Sequence, residues 1–526
     1  MARKAAVPTE DIPAVTQLFT PHWIVRYLVE SSLGRLWLLN RPSSRLRERM
    51  PYYIESGGGT DFLQIDTPEE IRLLDPAVGS GHMLTYSFDL LCMIYQEEGY
   101  ALSDIPGLIL THNLVGVDIC SRASQLASLA LVMKAREHSR HFFRPDRFVR
   151  PRILSMENVV FSEGQLYEYA ALLDLGGQLT GPVIKLLNQF GEAAALGSLI
   201  RPLLDNKTIA GVRAAIESKD ISGQLFLVDT HSKVVRALTQ ADVLSSQYTV
   251  VLTNPPYMGS KGMNARLKAF IGEHFAEHKA DLFAAFCVRC LGLTQKDGRL
   301  GFMTPFVWMF LSSYSALRSL FLAENSLATL IQPEYHSFFE SAYVPICAFT
   351  ISKNISQSKG VFIRLTEFYG ESPQSKKALE AIDNRGVTWR YDVEPTSFLS
   401  VPGSPIAYWI SPKGRSIFTG TSVKEVLTSD GQILTGNNER FLRYVWEIDS
   451  HSVGPTCRWK LHHKGGEFRR WYGNVEWVVA WDERARAFYK ADRTARIPKE
   501  YLWDLEGITW STISSSRPSF RKVLKS

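Results

Sequence analysis

The stretch IRLLDPAVGSGHML, residues 71–84, decides the fold. It begins as a short apolar run, typical of a buried strand, and this run ends on Asp75. A turn with two glycines follows at residues 79–81, where the absence of a Cβ lets the backbone approach a ligand closely. Apolar side chains then recur at helical spacing. A strand, a glycine-rich turn and a helix in this order predict an α/β fold with a doubly wound parallel sheet.

A second strand and helix continue the pattern. The run LVGVDIC at residues 114–120 is strand-like, and a helical run rich in Ala and Leu follows at 121–136. Asp118 stands at the end of the strand, where a carboxylate can accept hydrogen bonds from ribose hydroxyls. Leu84 replaces the third glycine of the dinucleotide-binding pattern G-x-G-x-x-G, so the turn alone does not identify the ligand. A turn role for Asp118 and tight helix packing for the glycines are the structural alternatives.

The stretch VVLTNPPYMGS, residues 250–260, ends a later strand in an unusual way. Two consecutive prolines cannot extend the interior of a sheet, because neither has an N–H group to donate. We therefore expect Asn254-Pro255-Pro256-Tyr257 to form a stiff loop beyond the carboxyl end of the strand, which is where open α/β sheets bind ligands. The loop offers a side-chain amide, a fixed carbonyl and an aromatic face, which suit a flat ligand with an amino group.

The composition is that of a globular protein with more than one domain. The chain has 526 residues, 45% of them hydrophobic and 21% charged, and a single core does not grow to this size. Its six cysteines do not make a disulfide scaffold. Cys287 and Cys290 have the spacing of zinc ligands but lack a second pair, so buried thiols are favoured and no metal is expected. No apolar run indicates a signal peptide or a membrane span, which predicts a cytoplasmic protein.

The charge is uneven along the chain. The net charge is +6, whereas residues 401–526 hold 20 Lys and Arg against 13 Asp and Glu, together with eight of the 12 tryptophans. A basic, aromatic-rich region on a nearly neutral body predicts a module that binds a polyanion. A solvated basic surface over a Trp-rich core is the alternative.

Four motifs in this order resemble one enzyme class. FTPHWIV, DPAVGSGHML, VGVDI and NPPY begin at residues 19, 75, 115 and 254, and they resemble the gamma-type DNA adenine-N6 methyltransferases that use S-adenosylmethionine. TGNNERFLR from residue 435, KGGEFRRWYGN from 464 and GITWSTISSSRPSFR from 507 resemble the PglX family of BREX phage-defence methyltransferases and related type II enzymes. The resemblance covers nearly the whole chain, although the family's proteins are much longer.

The resemblance implies a fold and a domain order. We expect a Rossmann-like doubly wound methyltransferase sheet in residues 71–400, preceded by an N-terminal helical element in residues 1–70. A helical insertion is expected at 161–245, where the alternation of strands and helices stops. Residues 401–526 would be the start of a DNA target-recognition domain that is truncated relative to the family.

The resemblance also implies the residues that hold S-adenosylmethionine. Asn158, or Glu157 beside it, is the candidate for reading the cofactor's adenine, although the family usually has an Asp after a strand there. Asp281 matches a later element near the cofactor, and a helix N-cap is its alternative role. The expected cofactor-binding residues are Thr20, Pro21, Asp75, Ala77, Gly79, Ser80, Gly81, Asp118, Asn158 and Asp281.

The NPPY loop, residues 254–257, is the expected catalytic site. The N6 amine of adenine is a poor nucleophile, because its lone pair is delocalised into the ring. The Asn254 side-chain oxygen and the Pro255 carbonyl can each accept one N6–H, which draws the nitrogen toward sp³ geometry, and the rigidity of the prolines, Pro256 included, keeps the acceptors in place. In duplex DNA the base must first flip out, and Tyr257 can then stack on it.

Double-stranded DNA is the implied substrate, and other phage-defence proteins are implied partners. Phosphate contacts would supply salt-dependent affinity and base-edge contacts the choice of sequence. A folded basic spacer is the alternative role of the C-terminal region. Phe339, or Phe338 beside it, resembles the family's second base-stacking position, with a core role as the alternative. The expected DNA-binding residues are Lys464, Arg469, Arg470, Trp471 and Phe339.

The expected activity is site-specific adenine-N6 methylation of DNA in a BREX-type or restriction-modification system. NPPY also occurs in methyltransferases that act on glutamine side chains of translation factors or on RNA bases, but the basic C-terminal region argues against these substrates. Cytosine-N4 is closer chemically, although Ser is more usual than Asn in that loop. A third interpretation is a cofactor- and DNA-binding subunit that methylates only within a larger complex.

Overall fold

The computed structural model of the chain describes residues 7–8, 11–12, 16, 19–57, 61–172, 177, 181–219, 227–336, 344–356, 358–429, 432–511 and 517–523. The chain separates into two compact units, Met1–Thr419 and Gly420–Ser526. The sheet of the first unit has a buried core on each face, and the second unit has its own strands and its own core.

The first unit is built on one mixed sheet. Its strands in the described residues are β1 Leu73–Asp75, β2 Leu114–Asp118, β3 Arg152–Ser155, β4 Tyr248–Thr253, β5 Thr294–Pro305, β6 Ser326–Gln332, β7 Ile346–Ser352, β8 Gly360–Arg364 and β9 Arg390–Val393. Their order across the sheet is β3-β2-β1-β4-β5-β7-β6-β8-β9. The first five strands in this order are parallel to one another, and β7 runs antiparallel to both β5 and β6.

Helices precede, follow and connect these strands. They are α1 His22–Val29, α2 Arg35–Asn40, α3 His82–Glu97, α4 Ile105–Leu108, α5 Ser121–His138, α6 Gln165–Leu172, α7 Gly181–Asn188, α8 Ala193–Leu196, α9 Asn206–Glu217, α10 Val228–Ser245, α11 Ala265–His274, α12 Leu282–Leu293, α13 Ser315–Ala323, α14 Glu371–Asp383 and α15 Pro412–Ser416. The run from α6 to α10 lies between β3 and β4 in the chain.

The predicted doubly wound α/β sheet is confirmed, because both of its faces are covered. Successive residues of a strand point to opposite faces of a sheet. Accordingly, Leu73 packs in a core that contains Phe88 of α3, whereas Leu74 packs in a different core that contains Phe283 of α12. Burial on both faces explains why these strands are continuous apolar runs in the sequence. The carboxyl ends of the parallel strands lie at one edge, which is where a ligand site is expected.

The second unit contains a small antiparallel sheet and a separate hairpin. The sheet is formed by β10 Leu442–Tyr444, β11 Trp459–His462 and β12 Trp477–Ala480 in the order β10-β12-β11, and the hairpin by β13 Gly507–Trp510 and β14 Phe520–Val523. Its helices are α16 Val423–Val426, α17 Asn438–Phe441 and α18 Glu483–Ala491. Its core includes Phe441, Trp459, Val479 and Tyr489. In the part of the chain that the structure describes, no helix has the length and apolar character that crossing a membrane requires.

Gly81→Ala tests how closely the glycine turn packs on α5. Gly81 has a φ of +89°, and a Cβ there would lie 3.1 Å from the Ala127 Cα. The substitution should lower the free energy of unfolding by about 2–4 kcal/mol, because a left-handed backbone and a clash with the backbone both oppose it. Gly99 has a φ of +83° with open space around it, so Gly99→Ala should cost only about 1–2 kcal/mol. Chemical denaturation compares the two variants, and equal losses would contradict the close packing.

Candidate active site

A cleft opens at the carboxyl ends of β1, β2 and β4. Asn254 and Pro256 of the NPPY loop line it, together with predicted cofactor-binding residues. These are Thr20, Asp75, Ala77, Gly79, Ser80 and Asp118. The cleft therefore brings together the turn after β1, the acid at the end of β2 and the loop after β4, which are far apart in the chain.

Asp118 ties the end of β2 to the glycine turn. Its Oδ2 accepts the Gly79 N–H at 2.8 Å, and its Oδ1 accepts the Cys120 N–H at 2.8 Å. Gly79 has a φ of +53°, and a Cβ at this position would meet nothing within 4 Å, so the backbone conformation rather than the space favours glycine. Burial raises the pKa of the Asp118 carboxyl. Each of its oxygens has a second lone pair that can accept a hydrogen bond from a ligand hydroxyl.

Asp75 is a buried carboxyl beneath the turn. It is 2% exposed, and its Oδ1 accepts the Ala77 N–H at 3.1 Å. Burial raises the pKa of Asp75 to about 7, the Ala77 N–H and the Thr253 side chain oppose this shift, and the charge of Asp118 adds to it. The Asp75 carboxyl is therefore protonated in a large fraction of molecules near neutral pH, and in that form it can donate a hydrogen bond.

The NPPY loop is braced from within the protein. The Tyr257 hydroxyl lies 2.6 Å from the Asn254 Oδ1 and 2.9 Å from the Met303 carbonyl oxygen, and either oxygen can accept its hydrogen bond. A phenol has one hydrogen, so it can serve only one of these acceptors fully at a time. The Tyr257 ring meets Phe283 edge-on, with 6.3 Å between the ring centroids. Contacts with β5 and α12 thus hold the loop in place.

Several predicted site residues do not line the cleft as the structure describes it. They are Pro21, Gly81, Asn158, Pro255, Tyr257 and Asp281. The Asn158 Oδ1 accepts the Ala194 N–H at 2.9 Å, so this side chain holds α8. Asp281 is the N-cap of α12, where its Oδ1 accepts the Phe283 N–H at 3.3 Å, and the same oxygen accepts the Met258 N–H at 3.0 Å. Burial raises the pKa of Asp281 to about 6. Asp281 thus connects α12 to the end of the NPPY loop.

The sequence analysis did not predict one wall of the cleft. Residues 195–199, which lie between β3 and β4 in the chain, form this wall. The Ser198 hydroxyl donates to the Pro76 carbonyl at 2.6 Å and so joins the wall to the turn after β1. Arg289, buried in α12, holds the wall from behind by donating to three backbone carbonyls. These are the carbonyls of Ser198, Ile200 and Leu244, at 2.9, 2.9 and 2.6 Å. An arginine within an apolar helix was the only signal for this contact.

The predicted DNA contacts outside the cleft fall in the second unit. They are Lys464, Arg469, Arg470 and Trp471. The Lys464 Nζ lies 4.2 Å from the centroid of the Trp477 ring, and the Arg470 guanidinium lies 5.1 Å from the centroid of the Trp471 ring. These cations therefore already pack on aromatic faces within their own unit. Phe339, and Phe338 beside it, lie outside the described residues.

Comparison with known proteins agrees with the resemblance to DNA adenine-N6 methyltransferases that the motifs predicted. Residues 112–339 match the family described as Eco57I restriction-modification methylase. The ATP-dependent Type ISP restriction-modification enzyme LlaBIII, solved bound to DNA, matches with a TM-score of 0.46 and 12% identity over 81% of this chain and 25% of its own.

Two relatives match over nearly the whole chain. The adenine-specific methyltransferase PglX of Lacticaseibacillus casei (strain Zhang) is 33% identical over 558 residues, which cover 99% of this chain and 46% of the relative. The adenine-specific methyltransferase BrxX of Escherichia coli O9:H4 (strain HS) is 33% identical over 555 residues, which cover 99% and 45%. The predicted resemblance to adenine-specific methyltransferases of the PglX type is confirmed, and the chain spans about half the length of these relatives.

Asp75→Asn tests the raised pKa of Asp75. The folded-state pKa of about 7 lies above the ordinary value of about 3.9. The carboxyl therefore stabilises the fold fully only below about pH 4, and this stability is lost as the pH rises through about 7. Relative to wild type, the amide variant should gain free energy of unfolding between pH 4 and 8, on the order of 3–4 kcal/mol.

Denaturation curves at several pH values measure this gain. Asp66 is an exposed acid, and Asp66→Asn should show no comparable gain. A difference between Asp75→Asn and wild type that stays constant with pH would contradict the raised pKa.

Proposed function

We propose that this chain carries the catalytic part of a site-specific DNA adenine-N6 methyltransferase that uses S-adenosylmethionine. One observation carries the proposal: Asn254 and Pro256 of the NPPY loop line the same cleft as the turn after β1, with Asp118 beside them. A methyl donor on the turn would therefore lie next to an amine acceptor on the loop. The 33% identity to adenine-specific methyltransferases over 99% of the chain supports the same substrate.

The residues of the cleft fit the donor. Asp118 is oriented by two backbone N–H groups and can accept hydrogen bonds from the ribose hydroxyls. The turn at Gly79 and Ser80 leaves backbone exposed to the methionine part, and Thr20 borders the same space. Residues 195–199 offer an apolar wall against which a flat adenine ring can lie. Bound S-adenosylmethionine supplies a methyl group on a positively charged sulfur.

The NPPY loop prepares the adenine amine. In this proposal the Asn254 Oδ1 and the Pro255 carbonyl each accept one N6–H, which localises the nitrogen lone pair and directs it at the methyl carbon. The N–C bond forms as the C–S bond breaks, the electron pair stays on sulfur, and the extra N6 proton passes to water. When the Tyr257 hydroxyl donates to the Met303 carbonyl, the Asn254 Oδ1 is released from it and can accept from adenine.

The second unit is proposed to bind the DNA duplex that presents the adenine. Residues 420–526 contain 18 Lys and Arg against 13 Asp and Glu, and such a surface is attracted to phosphates in a salt-dependent way. Host marking within a phage-defence system, with other proteins of that system as partners, is the setting that the motif resemblance to BREX methyltransferases implies. Because the chain spans about half of these relatives, the proposal covers the methylation step and not the whole of their activity.

Asn254→Ala tests the proposed reaction. DNA from cells that express the chain should contain N6-methyladenine, and the Asn254→Ala variant should reduce it by about 100-fold or more, because the preorganised acceptor for the amine is lost. Nucleoside mass spectrometry of digested DNA measures the product. Asn384→Ala makes the same change at an exposed position and should leave methylation intact.

Other products would refute parts of the proposal. N4-methylcytosine would retain the fold and reject the base, and methylated RNA or glutamine would reject DNA. No product from this chain, with methylation restored by its partner proteins, would establish the complex-dependent interpretation.

Arg289→Lys tests the wall of the cofactor cleft. The lysine keeps the charge but loses the forked donors that hold the wall, so the dissociation constant for S-adenosylhomocysteine should rise about tenfold or more. Arg318 provides a matched control, because it is also buried and donates to three backbone carbonyls, those of Trp308, Leu311 and Gly403. Arg318 does not line the described cleft. Arg318→Lys should therefore destabilise the fold without weakening the binding of S-adenosylhomocysteine. Isothermal titration calorimetry measures the affinity of both variants for S-adenosylhomocysteine. Equal affinities of the two variants would contradict the role of the wall.

A further inference from the structure

Trp471 combines backbone strain with exposure. Its φ is +72°, in the left-handed region that bulky side chains rarely adopt, and its side chain is 64% exposed. The Trp471 N–H donates to the Phe520 carbonyl at 2.9 Å, and the Lys522 N–H donates to the Trp471 carbonyl at 2.9 Å. The strand β14 therefore holds Trp471 in a strained conformation that adds little buried apolar area. Strain that persists without burial is typical of functional positions.

Other exposed aromatic side chains lie next to Trp471 in the chain or on the hairpin that its backbone bonds. Trp510 and Phe520 are register partners of the hairpin, and their ring centroids lie 6.4 Å apart. We define the aromatic surface as Phe468, Trp471, Tyr472, Trp510 and Phe520, whose side chains are 47%, 64%, 61%, 53% and 47% exposed. Five large exposed rings on neighbouring segments of one unit are unusual for a solvated surface, and they indicate a binding partner.

The charges around the aromatic surface favour an anionic partner. The segments 464–474 and 507–523 contain six Lys and Arg and one acid, Glu467, with Glu506 immediately before the second segment. Arg469 pairs with Glu467 at 3.6 Å and Lys522 with Glu506 at 3.4 Å. The Arg470 guanidinium lies over the Trp471 ring and extends the flat surface with a positive charge. Flat rings beside cations match a ligand that alternates bases and phosphates.

We infer that Trp471 stacks on a nucleobase that is unpaired in the bound DNA. This inference rests on the proposed function and specifies the contact: arginines and lysines take the phosphates and the Trp471 ring takes the base. A base inside a duplex has both faces covered by its neighbours, so a stacking partner requires a base that has left the stack. Such a base can come from a single strand or from a duplex in which one base has lost its partner, as happens when an adenine is flipped out.

Fluorescence anisotropy with the full chain tests the contact. The probes are a labelled single strand, a duplex with one unpaired base and a fully paired duplex. Trp471→Ala should weaken binding to the probes with unpaired bases about tenfold or more, and binding to the paired duplex less than about twofold. Trp471→Phe should retain most of the affinity, because phenylalanine also presents an aromatic face. If Trp471→Ala loses affinity only for the single strand, the base comes from single-stranded DNA. If it also loses affinity for the duplex with one unpaired base, the base comes from a duplex as well.

Trp471→Gly separates binding from folding. Glycine adopts a φ of +72° without strain, so this variant should be at least as stable as wild type in thermal unfolding and still lose the same DNA affinity as Trp471→Ala. Asp297→Gly, at another position with positive φ (61°), should relieve strain without changing DNA binding. Clear destabilisation by Trp471→Gly would assign the residue to the fold and overturn the inference.

An equal loss of affinity of Trp471→Ala for all three probes would also overturn the inference, since it would indicate a contact with the DNA backbone. No loss for any probe would overturn it too, since it would indicate a protein-binding surface. Methylation by the wild-type chain separates this failure from failure of the proposed function. N6-methyladenine together with unchanged binding by Trp471→Ala would reject only the stacking contact. The absence of both methylation and DNA binding in wild type would reject the proposed function.

Discussion

The parallel register of three strands is the constraint on which the site depends. Leu73 pairs with both Leu114 and Val250, so β1, β2 and β4 end side by side. Three chemically different ends, a glycine turn, a carboxylate and a proline loop, therefore meet in one cleft although they are far apart in the chain. A shift of one residue would move alternate side chains to the opposite face, and Leu73 and Leu74 would exchange cores. The free energy lost in that exchange fixes the register of β1 and therefore the positions of the residues that line the cleft.

Backbone carbonyls stabilise the buried cations around the sheet. Burial lowers the pKa of Arg289 to about 10, which still leaves the guanidinium charged at neutral pH, and its N–H groups are directed at carbonyl oxygens of three residues. Arg318 has the same arrangement. A buried charge without such partners would cost several kcal/mol. Each arginine thus joins segments that are separate in the chain, and Arg289 in this way connects the wall at residues 195–199 to α12.

The sequence predicted those parts of the site whose chemistry is local. Glycines at 79 and 81, an acid at the end of a strand and two prolines in succession each carry their meaning within a few residues, and the doubly wound sheet follows from the order of these elements. The wall carries no such signal. The Ser198 hydroxyl meets the Pro76 carbonyl only after the chain between β3 and β4 has folded back. The Asn158 Oδ1 accepts the Ala194 N–H, and this contact could not be predicted, since an amide side chain does not indicate from the sequence alone which backbone group it will meet.

Left-handed backbone has a different cost in the cleft turn and at Trp471. In the first unit Gly79 and Gly81 occupy the turn, so the chain adopts the conformation at little cost. In the second unit the same region of φ is occupied by Trp471, where glycine would be more favourable by roughly 1–2 kcal/mol. The loop around it is closed by the Asn474 side chain, which donates to the Glu467 carbonyl at 3.1 Å, and so does not need the indole to hold its shape. Because the Trp471 ring is 64% exposed, its burial in the folded unit does not offset this strain. A molecule that covers the ring would supply the missing stabilisation.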